Sequence, residues 1–195
     1  MGSLKYVRKV HAPFLILILG QLQIFAQEIQ VPVKIQVPIF LKILAFDKNL
    51  MKQAGNEIVI GILYQRKYMK SRLIKDEIIS ELEKLGQIEL LGLPLRYVAV
   101  DFKNAENLER IIDEGNIDII YVTPLRAVDI GEIAEVTRKK KVLTFSSVPD
   151  YVEAGLSVGL GVKGEKPRII INLSAAKAEG TDFSSRLLML AKVIE

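Results

Sequence analysis

The stretch EIVIGILY, residues Glu57–Tyr64, decides the fold class of this chain. After Glu57 it carries an apolar side chain at every position except Gly61. A strand that is apolar on both faces has to be covered on both faces, which is typical of a parallel sheet between two layers of helices. We therefore expect an α/β fold, and the neighbouring segments support that expectation.

On both sides of this strand, helix-like and strand-like segments follow one another. Upstream, we predict an extended segment over Glu28–Gln36 and a helix that Pro38 opens and that ends near Met51. Downstream, the predicted strands are Leu95–Asp101, Ile117–Thr123 and Val142–Ser146. The predicted helices are Lys70–Leu85, Asn104–Gly115, Asp129–Lys140 and Pro149–Gly155. This order predicts right-handed crossovers and a single three-layer α/β/α domain with a mostly parallel sheet.

A β-hairpin and two helices are predicted to close the chain. In Leu156–Lys163 apolar side chains alternate with Ser and Gly, which is the period of a strand. Gly164 can begin a two-residue turn into a second strand, Arg168–Leu173. We place this hairpin on the edge of the parallel sheet. The two final helices are expected at Ser174–Glu179 and Asp182–Ile194.

The beginning of the chain has the layout of a secretory signal peptide. A basic region is followed by an apolar run, Pro13–Ile24, and we predict cleavage before Gln27. The alternative is an uncleaved membrane anchor, but the run is shorter than the roughly 20 residues that a spanning helix needs. We therefore expect residues 1–26 to be removed on export, and residues 27–195 to form the domain with no stable membrane span.

Charge and composition exclude several classes of function. Of the 27 Lys and Arg residues, three precede Gln27, so that 24 remain against 23 acidic residues and the net charge is +1. Nothing in this balance favours nucleic acid as a partner. The chain has no cysteine, and its one histidine is His11, within the predicted signal peptide. Disulfides and metal sites built on Cys or His are therefore excluded from the domain, and no cofactor is expected.

Gly159–Gly164 (GLGVKG) satisfies the GxGxxG pattern of dinucleotide sites. Such a site needs a helix after the glycines, whereas another apolar strand follows here, so we expect no nucleotide. Ser157, Gly159 and Gly161 instead share one face of the predicted strand and leave it almost bare. A partner could approach the main chain on that face. Packing of one of the chain's own helices is the alternative, and we favour it.

No group of residues is typical of catalysis. Ser146 and Ser147 lie at a strand end, but no GxSxG surrounds them and the domain has no histidine as a base. Capping of the following helix is the expected role of Ser147. The basic run Arg138–Lys141 is interpreted as a solvated helix end rather than a phosphate site. We predict no enzyme activity, and a hydrolase that uses Ser146 ranks last among the hypotheses.

A small ligand, if one binds, has a predicted place. Open α/β sheets bind ligands outside the carboxyl ends of their strands. The residues at these ends are Tyr64, Gln65, Asp101, Thr123, Pro124, Ser146 and Ser147. A small-ligand receptor of the solute-binding kind is therefore a second functional hypothesis beside an interaction module.

Three motifs near the carboxyl terminus resemble one family. They are the short helix Asp150–Gly155, the passage Ile171–Ala176 (INLSAA) and the segment Ser184–Ala191 (SSRLLMLA). With PIFLKILAFDKNL upstream of the first strand, they resemble the YfiR-like family, exported bacterial regulators of the YfiR/HmsC type. The resemblance implies a periplasmic α/β domain that acts by binding and not by catalysis.

The same resemblance implies the partners. They are a membrane-bound sensor or the periplasmic domain of an inner-membrane diguanylate cyclase, whose repression lowers cyclic di-GMP and biofilm formation, and a second copy of the chain in a homodimer. The hairpin, the final helix or the opening helix would carry the contact. Redox sensing through disulfides cannot operate here, because the chain has no cysteine.

Overall fold

The computed structural model describes residues 31–195 as a sheet of eight strands with helices on both faces. The predicted signal peptide, residues 1–26, lies outside the described residues. The helices are α1 (Val33–Leu44), α2 (Leu50–Gln53), α3 (Met69–Lys84), α4 (Ala105–Gly115), α5 (Ile130–Lys140), α6 (Pro149–Glu153), α7 (Leu173–Ala178) and α8 (Ser185–Leu190). The strands are β1 (Ile58–Tyr64), β2 (Glu89–Leu90), β3 (Leu93–Asp101), β4 (Ile119–Val122), β5 (Leu143–Ser146), β6 (Val158–Lys163), β7 (Lys166–Asn172) and β8 (Lys192–Ile194).

The strands follow the order β2-β3-β1-β4-β5-β6-β7-β8 across the sheet. The five strands β3, β1, β4, β5 and β6 are parallel to one another. β2 runs antiparallel to β3, and β7 runs antiparallel to β6. The last strand, β8, is parallel to β7. The chain leaves β1 towards β3 on one side and returns to β4 on the other, which puts the topological switch point between β1 and β4. The predicted fold class is therefore confirmed.

Two apolar cores, one on each face of the sheet, make the three layers. On one face α1, α3 and α8 cover an aromatic cluster of Phe40, Tyr121 and Phe145, whose ring centroids are 4.8 to 5.1 Å apart. The Tyr121 hydroxyl donates a hydrogen bond to Gln36 of α1. On the other face α4, α5 and α6 pack against the sheet in a separate core.

The first helix begins earlier than predicted. α1 starts at Val33, within the segment that was expected to be extended, and the predicted continuation towards Met51 is the separate helix α2. Pro38 lies inside α1, where it removes one main-chain hydrogen bond. Val37 and Phe40 on either side of it are nearly inaccessible to solvent. Burial of this apolar stripe explains why the helix persists through the proline.

The end of the chain departs most from the prediction. The helix expected over Asp182–Ile194 is shortened to α8, and Lys192–Ile194 forms β8. This last strand pairs with Ile170–Asn172 of β7, so β8 and not the hairpin occupies that edge of the sheet. The pairing satisfies main-chain groups of β7 that an edge strand would leave to water. The spacing of apolar residues over Asp182–Ile194 is that of a helix, and it does not indicate that the last three residues of this stretch pair with a strand earlier in the chain.

Candidate functional site

The predicted ligand residues meet at the carboxyl ends of the parallel strands, but the hydroxyl groups of Thr123 and Ser146 form hydrogen bonds within the protein. Thr123 Oγ1 donates to Leu63 O at 2.9 Å and lies 2.7 Å from Ser71 Oγ. Ser146 Oγ donates to Val122 O at 2.9 Å. Thr123 and Ser146 are both fully buried. A ligand would meet these hydroxyls only after the strand ends had separated.

Ser147 is also fully buried, and its hydroxyl has no hydrogen-bond partner among the described residues. The expectation that it caps α6 is wrong. The N-cap residue is Val148, without a side-chain cap, and Val148 N donates instead to Ser146 Oγ at 3.2 Å. The Ser146 hydroxyl therefore bonds main-chain groups on both sides, which is the pattern of a structural serine.

The switch point between β1 and β4 is closed by Gln65. Its Nε2 donates to Arg126 O at 3.1 Å, and its Oε1 accepts from Arg126 N at 2.9 Å. Tyr64, one residue earlier, has the Lys75 ammonium 5.1 Å from its ring centre, and Pro124 is buried. Hydrogen bonds thus join the loop after β1 to the loop after β4, at the position where α/β sheets commonly bind a ligand.

An open cavity of about 400 Å³ lies beside this tie, at the ends of β1 and β3. Asp101 lines it, accepts a hydrogen bond from Arg66 N at 3.0 Å and forms an ion pair with Arg66 Nε at 3.2 Å. Lys67 and Lys103 line it as well, with Phe102 as its apolar part. The three cations outnumber the one carboxylate, so an anionic group fits this cavity best. Of the residues predicted to bind a ligand, Asp101 and Gln65 reach it, and the ligand-binding role of the whole set stays a prediction.

The glycine face of β6 is covered by α6. A Cβ atom at Gly159 would overlap Val152 Cγ2, and one at Gly161 would lie 3.5 Å from Pro149 Cγ. Ser157, just before the strand, is fully buried. The chain's own helix therefore fills the face, as in the alternative that the sequence favoured. Contact of Ser157, Gly159 and Gly161 with a partner stays a prediction, and it would require α6 to move.

The basic run at the end of α5 is also used within the protein. Arg138 and Lys141 donate to main-chain carbonyl groups at 2.9 and 2.8 Å, and Lys140 pairs with Asp113 at 2.7 Å. Lys139 and Lys140 both pair with Glu109, and these contacts lower the pKa of that carboxyl group. The run is a helix end, as interpreted from the sequence.

An apolar groove joins the three elements that the sequence nominated for partner contact, the opening helix, the hairpin and the final helix. Its volume is about 250 Å³. The residues that line this C-terminal groove are Ile39, Lys42, Ile43, Phe46, Pro167, Ile169, Leu187 and Leu190. Leu190 is 68% exposed and Met189 80% exposed at the end of α8, and Val193 of β8 is exposed as well. Apolar side chains left in water at a groove are typical of a surface that binds another protein.

Glu179, which follows α7 as its C-cap residue, is a functional candidate that the sequence analysis missed. It is fully buried, and its carboxyl group accepts hydrogen bonds from Thr137 Oγ1 at 2.8 Å, Thr144 N at 2.8 Å, Thr144 Oγ1 at 2.9 Å and Ser157 Oγ. Burial raises the pKa of Glu179 to about 7, although the donors favour the ionised form. The helix dipole disfavours a carboxylate at the carboxyl end of a helix. The position of Glu179 at the end of a predicted helix was the one feature of the sequence that could have indicated its role.

Comparison with protein families identifies the chain. The family model described as YfiR/HmsC-like (DUF4154) matches residues 49–192. This chain belongs to the YfiR/HmsC-like family. No curated protein matches it. Membership in the YfiR/HmsC-like family supports a periplasmic regulatory protein and a non-enzymatic role. In the part that the structure describes, residues 31–195, no helix combines the length and the apolarity that a membrane span requires.

Solved structures share the fold of this YfiR/HmsC-like protein at low identity. A conserved domain protein from Vibrio cholerae has a TM-score of 0.60 and 17% identity, over 84% of this chain and 60% of its own. An ABC domain in complex with L-Trp from Streptococcus pneumoniae has a TM-score of 0.58 and 18% identity, with the same coverage. A substrate-binding protein with adhesive properties from Clostridium difficile has a TM-score of 0.53 and 16% identity, over 79% and 59%. The chain thus spans about three fifths of the length of these structures, and the likeness shows the fold alone.

Proposed function

We propose that the protein is a periplasmic regulator that binds the periplasmic domain of a membrane-bound sensor through the C-terminal groove. The observation that carries the proposal is the exposure of Leu190 and Met189 beside a groove built by α1, β7 and α8. Apolar side chains that enter or cover a groove supply most of the free energy of many protein interfaces. Membership in a family of periplasmic regulators supports a protein as the occupant.

The partner in this proposal is a diguanylate cyclase with its catalytic domain in the cytoplasm. A regulator that binds only the inactive conformation of such an enzyme shifts the population towards that conformation and lowers cyclic di-GMP. Among the described residues that line the C-terminal groove, Lys42 is the one with a charged side chain. We therefore expect an acidic side chain next to the apolar contact on the partner.

The test compares two leucines with similar exposure on different helices. Leu190 is 68% exposed at the groove, and Leu73 is 60% exposed on α3. Leu190→Asp and Leu73→Asp each place one charge on the surface, so both proteins should fold. In-cell crosslinking followed by mass spectrometry then identifies the captured membrane proteins for each variant. We expect a single-pass signalling protein with the wild type and with Leu73→Asp, and its loss with Leu190→Asp.

Cyclic di-GMP is measured in the same strains. Release of the cyclase by Leu190→Asp should raise cyclic di-GMP to the level of a strain that lacks the protein, while Leu73→Asp leaves it unchanged. Capture of the same partner by both variants would reject the C-terminal groove as the contact surface. Recovery of the wild type alone, or crosslinked only to a second copy, would reject the sensor as the partner.

A second candidate function is a small-ligand receptor, and the cavity at the ends of β1 and β3 favours it. Arg66, Lys67 and Lys103 would attract the carboxylate of an amino acid there, and Phe102 would contact an apolar side chain. One solved structure with this fold holds L-Trp. Thermal denaturation with saturating L-tryptophan, other amino acids and nucleotides tests this function, because a ligand that binds the folded state raises the melting temperature. A rise in melting temperature that disappears in Lys103→Gln supports the receptor function. If none of these compounds raises the melting temperature, the protein is not a receptor for them.

A further inference from the structure

Glu179 lies in a cradle of neutral donors that come from three different elements. Thr137 is on α5, Thr144 on β5, and Ser157 precedes β6. Ser157 N donates in turn to Thr144 Oγ1 at 2.8 Å, which fixes the hydroxyl of that threonine. The carboxyl group therefore joins α7 to the sheet and to α5 without an ion pair.

Charged groups around the cradle are engaged elsewhere or exposed. Arg138 and Lys141 of α5 donate to main-chain carbonyl groups, and Lys48 pairs with Asp182 at 3.2 Å. The remaining charged side chains on the surrounding elements are Asp47, Lys52, Glu132, Glu135, Lys139, Lys140, Lys163 and Lys177, of which Glu132, Glu135 and Lys139 on α5 are exposed. Asp47 accepts from Asn49 N and Asp182 N, each at 3.0 Å, and Lys140 pairs with Glu109 and Asp113. Lys52, Lys163 and Lys177 are exposed.

The cradle can satisfy both protonation states of Glu179. Thr137 Oγ1 lies 2.8 Å from Glu179 Oε1 and 3.2 Å from Ala134 O. When Glu179 is ionised, the threonine hydroxyl donates to the carboxylate. When Glu179 is protonated, its own O–H can donate to Thr137 Oγ1, which then turns its hydrogen to Ala134 O. One hydroxyl rotation therefore accompanies the binding of one proton, and the carboxyl group and the Thr137 hydroxyl keep hydrogen-bond partners in both states.

The residues after Glu179 lie on the loop that follows α1 and lead to the C-terminal groove. Gly180 O accepts hydrogen bonds from Asn49 Nδ2 at 3.0 Å and Gln53 Nε2 at 2.9 Å. Ser184 N donates to Phe46 O at 3.0 Å, and Phe46 lines the groove. Glu179 is thus one buried attachment of a segment, residues 180–190, and the buried side chains of Phe183 and Leu187 are others. The end of this segment carries Leu190 at the C-terminal groove.

We propose that Glu179 is a proton-binding latch that couples pH to the attachment of residues 180–190, with the neutral carboxyl group holding the segment and the ionised one favouring its release. The carboxyl pKa of about 7 in the folded protein is above the ordinary value of 4.5. The attached state therefore binds the proton more tightly than the open state, and it loses stability as pH rises from the ordinary pKa to the folded one. The described residues contain no histidine or cysteine, so no side chain among them has an ordinary pKa between 5 and 8.

The test uses the protein alone, as it accumulates in the cell, so its outcome does not depend on whether the proposed partner exists. With 13C-labelled glutamate, NMR between pH 4 and 8.5 should show one carboxyl group with a midpoint near 7, absent from Glu179→Gln. Hydrogen exchange should show the opening equilibrium of residues 180–190, corrected for intrinsic rates, rising about 70-fold from pH 5 to 8 in the wild type. It should stay constant in Glu179→Gln, where no proton is exchanged at this position.

Two further variants keep the test decisive if Glu179→Gln does not fold. Ser157→Ala removes a donor that favours the ionised form, so the midpoint should move to higher pH. Glu153→Gln, the same substitution at an exposed position of α6, should leave the midpoint and the exchange profile unchanged. A Glu179 midpoint near 4.5, or a pH dependence of exchange that persists in Glu179→Gln, would overturn the proposal. A midpoint that Ser157→Ala leaves in place would overturn it too.

Discussion

Gly159 lies where β6 passes beneath α6, and its lack of a side chain sets the distance between the two. A Cβ atom there would overlap Val152 Cγ2, and Val152 is fully buried. Gly159→Ala should therefore force α6 away from the sheet and lower the free energy of unfolding by about 2 kcal/mol, as other insertions into packed cores do. Urea denaturation monitored by circular dichroism measures the change.

Gly55 supplies the matched control for this prediction. Nothing lies within 4 Å of a Cβ atom at that position, so Gly55→Ala should leave the free energy of unfolding nearly unchanged or raise it slightly. Adding Val152→Ala to Gly159→Ala removes the overlapping methyl group, so the two substitutions together should cost less than the sum of their separate costs. Equal stability of Gly159→Ala and Gly55→Ala would contradict the close approach.

The pattern of residues predicted the bare glycine face but not the role of Glu179. Alternation at Ser157, Gly159 and Gly161 is a local property, so a short stretch of sequence contains it. The donors to Glu179 are 42, 35 and 22 residues away at Thr137, Thr144 and Ser157. A single serine or threonine on a strand or helix gives no sign that a distant carboxylate will reach it, because only the folded sheet brings them together.

At the scale of elements, two helix starts were predictable because their caps depend on neighbouring residues, although the cap expected at Ser147 does not form. Asn104 and Asp129 accept hydrogen bonds from main-chain N–H groups at the starts of α4 and α5, at the positions that the sequence indicated. The strands of the parallel sheet were also recognisable, since each is a short apolar run. The start of α1 and the existence of β8 were not, because packing around Pro38 and pairing with β7 decide them, and both involve distant residues.

Asn172 allows the contribution of one cap to be separated from that of a tertiary contact. Its Oδ1 accepts from Ala175 N at 3.0 Å at the start of α7, and its Nδ2 donates to Val152 O at 3.2 Å. Asn104 makes the cap alone, on an exposed position. We expect Asn104→Ala to cost about 1 kcal/mol and Asn172→Ala about twice that, since Asn172→Ala also removes one of the donors to the Val152 carbonyl group, which then keeps Gly155 N.

Urea denaturation of both variants at one pH measures this difference. α7 has only six residues and ends directly before Glu179. Its N-terminal cap therefore helps to set the direction in which the chain reaches Glu179. Equal costs for the two substitutions would show that the contact between Asn172 and Val152 contributes nothing to stability.

At the scale of the whole molecule, the eight strands unite two apolar cores, and the carboxyl-terminal segment belongs to only one of them. Phe183 and Leu187 of that segment are buried on the α1 face, while α4, α5 and α6 cover the other. Glu179 is held by donors from α5 and from the sheet, Thr137 and Thr144, and it directly precedes the segment that packs on the α1 face. Its charge therefore bears on how the last part of the chain is attached to the rest.

Global stability should fall with rising pH, which is opposite to the behaviour of a carboxylate held in an ion pair. The pKa of Glu179 is about 7 in the folded protein against 4.5 for an ordinary glutamate, so the stabilisation is complete below pH 4.5 and is lost as pH rises through 7. Integrated from pH 5 to pH 8, the difference amounts to about 2 to 3 kcal/mol in the free energy of unfolding. Urea titrations at several pH values should show this loss in the wild type and in Glu153→Gln. A much flatter profile is expected for Glu179→Gln, because the amide keeps the shape of the neutral side chain and has no proton to lose; an equally steep profile in that variant would assign the loss to other groups.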